Sequence, residues 1–115
     1  MIKRAEDLQQ VEVYELRGGE GTLLKTILGN AEETFGHVPL FVTFNFPAGA
    51  SIGYHTHDTN MEYYYILSGE LTVEENGVVT VMKEGDVSVC RDGNGHAVKN
   101  NTDRDAKMLA VIVEK

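Results

Sequence analysis

The chain has 115 residues, 42% of them hydrophobic and 24% charged, and a net charge of −8 at neutral pH. That length suits one domain, expected to span residues 1–115, with enough core to fold without disulfides. The acidic balance argues against a nucleic-acid partner, which needs a basic footprint, and equally against docking on an anionic membrane.

Read in chain order, the N-terminal MIKRAEDLQQ carries acidic and amide residues where a signal peptide needs an apolar run. Helical patterning is nearly absent. Short β-branched and aromatic runs are cut instead by Gly, Asn and Asp, the pattern of an all-β fold. Strands are predicted at Val11–Leu16, Thr22–Leu28, Leu40–Phe46, Ser51–His55 and Glu62–Leu67, then at Glu70–Glu75, Val78–Met82, Asp86–Cys90, His96–Asn100 and Lys107–Val113. Asn30–Phe35 reads as a single helical turn capped by Asn30. Pro47-Ala-Gly49 and Lys83-Glu-Gly85-Asp86 read as turns. Asn76-Gly77 between two alternating runs reads as a tight hairpin. The longest apolar stretches, such as Ala110–Val113, are too short to cross a bilayer as a helix. Cys90 is the single cysteine, so no disulfide forms within the chain and a cytoplasmic, reducing setting is expected.

Chemistry concentrates around three of the four histidines. His55 and His57 are two apart on a predicted strand, so both imidazoles project to one face. Glu62 follows after the link Asp58-Thr-Asn-Met61 and lies beside the pair if that link is a turn. His96 opens another predicted strand after a glycine-rich loop. If the three strands are neighbours, three imidazoles and a carboxylate surround one divalent ion. Such a set suits Mn, Fe, Co, Ni, Cu or Zn, and on a six-coordinate ion it leaves positions open for a small-molecule substrate or dioxygen. Taken singly, each histidine is a polar strand residue near a turn and Glu62 a surface carboxylate at a strand start.

The spacing resembles the cupin superfamily. The first cupin motif is met by GASIGYHTHDTNMEYYYILSG, residues 49–69, with Gly49, His55, His57, Glu62 and Gly69 in register. The second is met by GDVSVCRDGNGHAVKN, residues 85–100, with Gly85, Gly93, His96 and Asn100. The intervening stretch, Glu70–Glu84, is short, as in small single-domain bacterial cupins. The resemblance implies an antiparallel double-stranded β-helix, or jelly-roll barrel, with a metal inside it on His55, His57, Glu62 and His96. A homodimer is common in the family. Arg91 stands where the family usually has proline, which implies a more flexible loop before His96, or an Arg91 side chain reaching into the mouth to hold an anion.

The remaining candidates follow from alternation along the strands. Tyr64 and Ile66 share the face of Glu62, so Tyr64 is a pocket residue and, with Glu62, a candidate catalytic group; Tyr63 and Tyr65 face the other way. Asp58 either supports a ligand imidazole or caps a turn. Cys90 reads as a buried inert thiol, His37 as a loop residue. The ligand set points to a metal-dependent oxygenase, isomerase or lyase. The alternative is a non-catalytic module that binds a metal or small ligand. A stand-alone helix-turn-helix transcription factor is not expected, for want of a helical segment.

Overall fold

The computed structural model describes residues 1–115. Ten strands form: β1 (Gln10–Tyr14), β2 (Thr22–Gly29), β3 (Leu40–Phe46), β4 (Ser51–Thr56), β5 (Asn60–Ser68), β6 (Glu70–Glu75), β7 (Val78–Lys83), β8 (Val87–Cys90), β9 (Gly95–Lys99) and β10 (Ala106–Glu114). Each of the ten predicted strands is present, with ends displaced by a residue or two.

All pairings are antiparallel. They build a six-stranded sheet in the order β1-β2-β3-β10-β5-β8 and a four-stranded sheet in the order β4-β9-β6-β7. One hydrophobic cluster joins the two sheets, with Leu23, Val42, Phe44, Phe46, Tyr64, Ile66, Met108 and Ala110 from the larger and Ile52, Leu71, Val73, Met82 and Val98 from the smaller. Alternation along β5 is strict: Glu62, Tyr64 and Ile66 are buried while Tyr63 and Tyr65 face out, as a strand covered on one side requires.

The turns follow their residues. Asn76 and Gly77 both have positive φ between β6 and β7, the tight hairpin backbone that their side chains tolerate. Before β3, a short 3₁₀ turn at Glu32–Thr34 is held by a reciprocal pair: Asn30 Oδ1 accepts from the Glu33 N–H at 3.0 Å, and Glu33 Oε1 accepts from the Asn30 N–H at 3.1 Å. Asn100 is fully buried where β9 ends, and its amide donates to the carbonyls of Phe46 and Arg104 while its Oδ1 accepts from Thr102.

A second 3₁₀ turn, Leu16–Gly18, lies directly on β4. A Cβ on Gly53 would collide with the Arg17 carbonyl, and one on Gly19 would collide with the Ser51 carbonyl. The two glycines therefore let backbone meet backbone, and they fix Arg17, itself in the left-handed region at φ 55°, above the face of β4. Gly53→Ala is expected to destabilise the fold by about 3 kcal/mol, because rigid backbone must move. Gly36→Ala, at positive φ but with open space around it, is expected to cost only about 1–2 kcal/mol. Urea denaturation of both variants checks the difference, and equal costs would mean that β4 and the turn are not locked together.

Candidate metal centre

The four predicted ligands converge, but not from three adjacent strands. His55 lies on β4 and His57 one residue past its end. His96 lies on the neighbouring β9, directly opposite His55. Glu62 comes from β5 in the other sheet, so the link at Asp58–Met61 carries the chain from one sheet to the other rather than around a hairpin. The site is thus shared by the two sheets.

One carboxylate oxygen sits among three imidazole nitrogens. Glu62 Oε1 is 2.9 Å from His96 Nε2, 3.1 Å from His57 Nε2 and 3.4 Å from His55 Nε2. His96 Nε2 is also 3.0 Å from His55 Nε2 and 3.2 Å from His57 Nε2. The ligand atoms of His55, His57, Glu62 and His96 all lie within 4.8 Å of one another, and His57, Glu62 and His96 are buried.

The outer ring nitrogens show which way these imidazoles point. His55 Nδ1 is 2.8 Å from the Gly53 carbonyl, which can only accept, so Nδ1 carries the proton and Nε2 is a lone pair. His57 Nδ1 meets Asn60 Oδ1 at 2.6 Å in the same sense. Bare nitrogens held about 3 Å apart around a carboxylate repel one another unless a cation lies between them. Donors bound at about 2.1 Å to one ion and at right angles to each other are also about 3 Å apart. The residues therefore fit a divalent transition metal: three nitrogens and one oxygen form a metal-binding site consistent with metal-dependent enzyme chemistry.

In the metal-free cluster a proton on Nε2 takes the place of the cation: burial alone would raise the Glu62 pKa, but hydrogen bonds from His55 and His96 and the nearby imidazole charges then outweigh it and bring the value down to about 2. Burial lowers the His96 pKa, keeping its ring neutral and ready to ligate, although Glu62 opposes that shift. Tyr64 stacks on His96 with ring centroids 4.4 Å apart and planes within 1° of parallel. Burial, then the Glu62 charge, pushes the Tyr64 phenol well above its ordinary range, so it is a proton donor rather than a base.

Beside the ligands lies a cavity of about 150 Å³, walled by Phe44, Ile52, Ile112 and Tyr64. Arg17 and Lys25 also border it. Seven of the ten lysines and arginines make no ion pair, and Arg17 and Lys25 are the two of them that border this cavity.

Two sequence expectations fail here. Arg91 does not reach the mouth: it pairs with Asp92 at 3.1 Å on the outside, in a cleft with Asp58 and Glu114. Its loop is also tied down, because the Gly93 N–H donates to the His57 carbonyl and the His57 N–H donates to the Asn94 carbonyl. Asp58 is exposed and supports no imidazole; Asn60 does, from three residues beyond His57. Cys90 is buried as expected, its thiol pushed up to about 11 by burial and by the charges of Glu75 and Glu62. His37 is exposed in a loop, as expected.

Residues 42–112 match the Cupin domain family. The chain belongs to the cupin family. This cupin is 33% identical over 113 residues to an oxalate-binding protein of Thermotoga maritima, covering 98% of this chain and 93% of that one. It is similar throughout, with a TM-score of 0.95 and 32% identity over the whole of both chains, to the crystal structure of a predicted oxalate decarboxylase from Thermotoga maritima. KdgF from Halomonas sp. shares the fold, with a TM-score of 0.78 at 16% identity over 97% of this chain and 91% of that one. The Cnp3 cupin domain of Schizosaccharomyces pombe also shares it, with a TM-score of 0.72 at 17% identity over 94% and 88%.

Two predictions follow from the ligand cluster. His57→Ala is expected to lose bound metal in elemental analysis while keeping its β-sheet circular dichroism; Glu62→Gln, which keeps an oxygen donor, is expected to lose less. For the metal-free protein, the Glu62 pKa lies below the ordinary value of 4.5. Ionised Glu62 therefore stabilises the fold above that value, and this contribution is lost as pH falls towards about 2. Urea midpoints in chelator are expected to drop through this window in the wild type and to drop less in Glu62→Gln.

Proposed function

We propose that this cupin is a metal-dependent enzyme acting on a small dicarboxylate, oxalate or a near relative of it. The observation that carries the proposal is the pair of unpaired cations, Arg17 and Lys25, bordering a cavity that also exposes the ligand cluster. In a chain of net charge −8, cations left without carboxylate partners beside a metal centre favour an anionic guest. A cavity of about 150 Å³ suits a guest of only a few heavy atoms. Oxalate in the description of both Thermotoga maritima matches supports the same class of guest.

The chain's own groups divide the work as follows. A divalent ion on His55, His57, Glu62 and His96 supplies Lewis-acid chemistry at the oxygens of a bound carboxylate. Arg17 receives the carboxylate through paired N–H donors, and Lys25 adds charge. Phe44, Ile52 and Ile112 exclude water from the guest. Tyr64, neutral at physiological pH, donates its O–H towards the guest or Glu62. The reaction class we favour is a lyase reaction, in which the carbon–carbon bond of the dicarboxylate breaks to release carbon dioxide and its electron pair takes up a proton on the remaining carbon, giving formate from oxalate. The second reading is a carrier that binds the dianion without turnover; it is favoured by the absence from the cavity of a free base other than the ligands.

We also place the two sheets in the jelly-roll barrel class, and the protein in the cytoplasm as a homodimer. Tyr63 and Tyr65 on β5 face Val89 and Val87 on β8, giving an exposed apolar patch suited to a second copy. Sedimentation is expected to give a dimer that Tyr65→Glu weakens; a monomer at all concentrations would remove this part.

Elemental analysis and product assays test the main proposal. One equivalent of metal per chain, with formate and carbon dioxide released equally from oxalate, is the expected result. Stoichiometric oxalate binding without product would turn the reading to the carrier. Protein that takes up no metal would overturn the enzyme reading. Arg17→Ala is expected to weaken oxalate about 10- to 100-fold at unchanged metal content, the scale of one charged bidentate contact.

A further inference from the structure

The three ligand imidazoles are not equally supported. His55 Nδ1 is fixed by the Gly53 carbonyl and His57 Nδ1 by Asn60 Oδ1. His96 Nδ1 is buried, in a residue with no exposed surface, and has no hydrogen-bond partner. A buried ring nitrogen without a partner carries a full desolvation cost. A ligating histidine usually donates that proton to a carboxylate, carbonyl or water, which fixes its ring and raises its basicity.

Behind His96, away from the other ligands, stand Glu75 and Cys90. A ring nitrogen of His96, the Glu75 carboxylate and the Cys90 sulfur lie within 4.8 Å of one another. Glu75 is directly opposite His96 in the β6–β9 ladder, so the two side chains share a face. Cys90 is directly opposite Glu62 in the β5–β8 ladder and brings its sulfur to the same spot. Of the two, the thiol is committed, donating to the Asn94 carbonyl at 3.3 Å. The carboxylate has no hydrogen-bonded or ion-paired partner of its own, and it also borders an outer groove with Asn76, Asp86 and Ser88.

We propose that Glu75 is the positioning residue of the metal centre: its carboxylate accepts the His96 Nδ1 proton, completing a carboxylate–histidine–metal relay from the outer groove. The proposal rests on the metal reading of the cluster. Glu75 touches neither metal nor guest; it acts by holding one tautomer and one orientation of His96, clamped on its other side by the Tyr64 ring.

Zinc serves as a diamagnetic probe, with affinity measured by competition against a chelating indicator and the imidazole N–H signals by nitrogen-15 NMR. Glu75→Leu is expected to weaken zinc binding about 10- to 100-fold, the scale for loss of an outer carboxylate. The slowly exchanging His96 Nδ1–H signal is expected to vanish with it. Glu75→Gln keeps an acceptor oxygen and is expected to retain the signal and bind zinc within a few-fold of wild type. Cys90→Ala is expected to change neither. A metal-free melting temperature for Glu75→Leu matching wild type separates positioning from a general structural role; should it fall, the signal in Glu75→Gln decides. Wild-type zinc affinity in Glu75→Leu, or loss of the signal in Cys90→Ala instead, would overturn the proposal. Failure of the wild type to bind zinc would overturn the metal reading itself, a distinct result.

Discussion

Three imidazole nitrogens and a carboxylate oxygen meet, with contacts of 2.9–3.4 Å to the carboxylate, in a largely buried site. Two of those nitrogens present lone pairs, because their opposite ring positions face acceptors. Such an assembly is costly by itself, since buried charge and unshared lone pairs are tolerated only when compensated. Much of the surrounding structure serves to hold this arrangement. β4 and β9 must be neighbours to bring His55 opposite His96, and β5 must cross to the other sheet so that Glu62 faces them. The core between the sheets then fixes the depth at which the ligands sit.

The parts that hold the ligands use backbone as much as side chains. His55 is oriented by a carbonyl two residues before it. His57 is anchored at both its N–H and its carbonyl to the Gly93–Asn94 loop, the segment that also delivers His96. That reciprocal tie explains why Arg91 is tolerated where proline is usual. Asp92 and Gly93 take positive φ in a tight turn, and the turn is docked on a ligand residue rather than stiffened by a ring. The same economy appears at Gly19 and Gly53, where the missing side chains let the turn bearing Arg17 approach β4.

The strands were legible because each buried face leaves a period-two record in its own residues, as at Glu62, Tyr64 and Ile66. The ligand set was legible because its spacing is local in two short motifs. Sheet membership was not: nothing in Asp58-Thr-Asn-Met61 tells a hairpin from a crossing between sheets, since both need a polar, turn-compatible link. For the same reason the sequence alone leaves Asp58 open between supporting a ligand imidazole and capping a turn. Asn60 supports His57 because the chain turns back over the imidazole before β5 begins. Arg17, Lys25 and Glu75 left no signal at all. They lie far from both motifs or between them, and only the docking of the Leu16–Gly18 turn on β4 and the register of β2 and β6 against their partners place them near the ligands.

Net charge and local field point in opposite directions in this protein, and the difference has a physical consequence. A −8 surface disfavours approach of anions over most of the molecule, yet long-range repulsion between exposed charges fades beyond about 8 Å at physiological salt. Inside the cavity, screening is weaker and the nearest fixed charges are Arg17, Lys25 and Glu62. With Glu62 committed to a metal, the cavity presents cations to whatever enters. Apolar walls at Phe44, Ile52 and Ile112 leave few polar groups to screen that field, and a cavity of about 150 Å³ suits a compact acid. On the proposed reading, selectivity for a compact dianion over a bulky one needs no dedicated recognition loop. It would follow from two cations and a metal placed around a cavity of about 150 Å³.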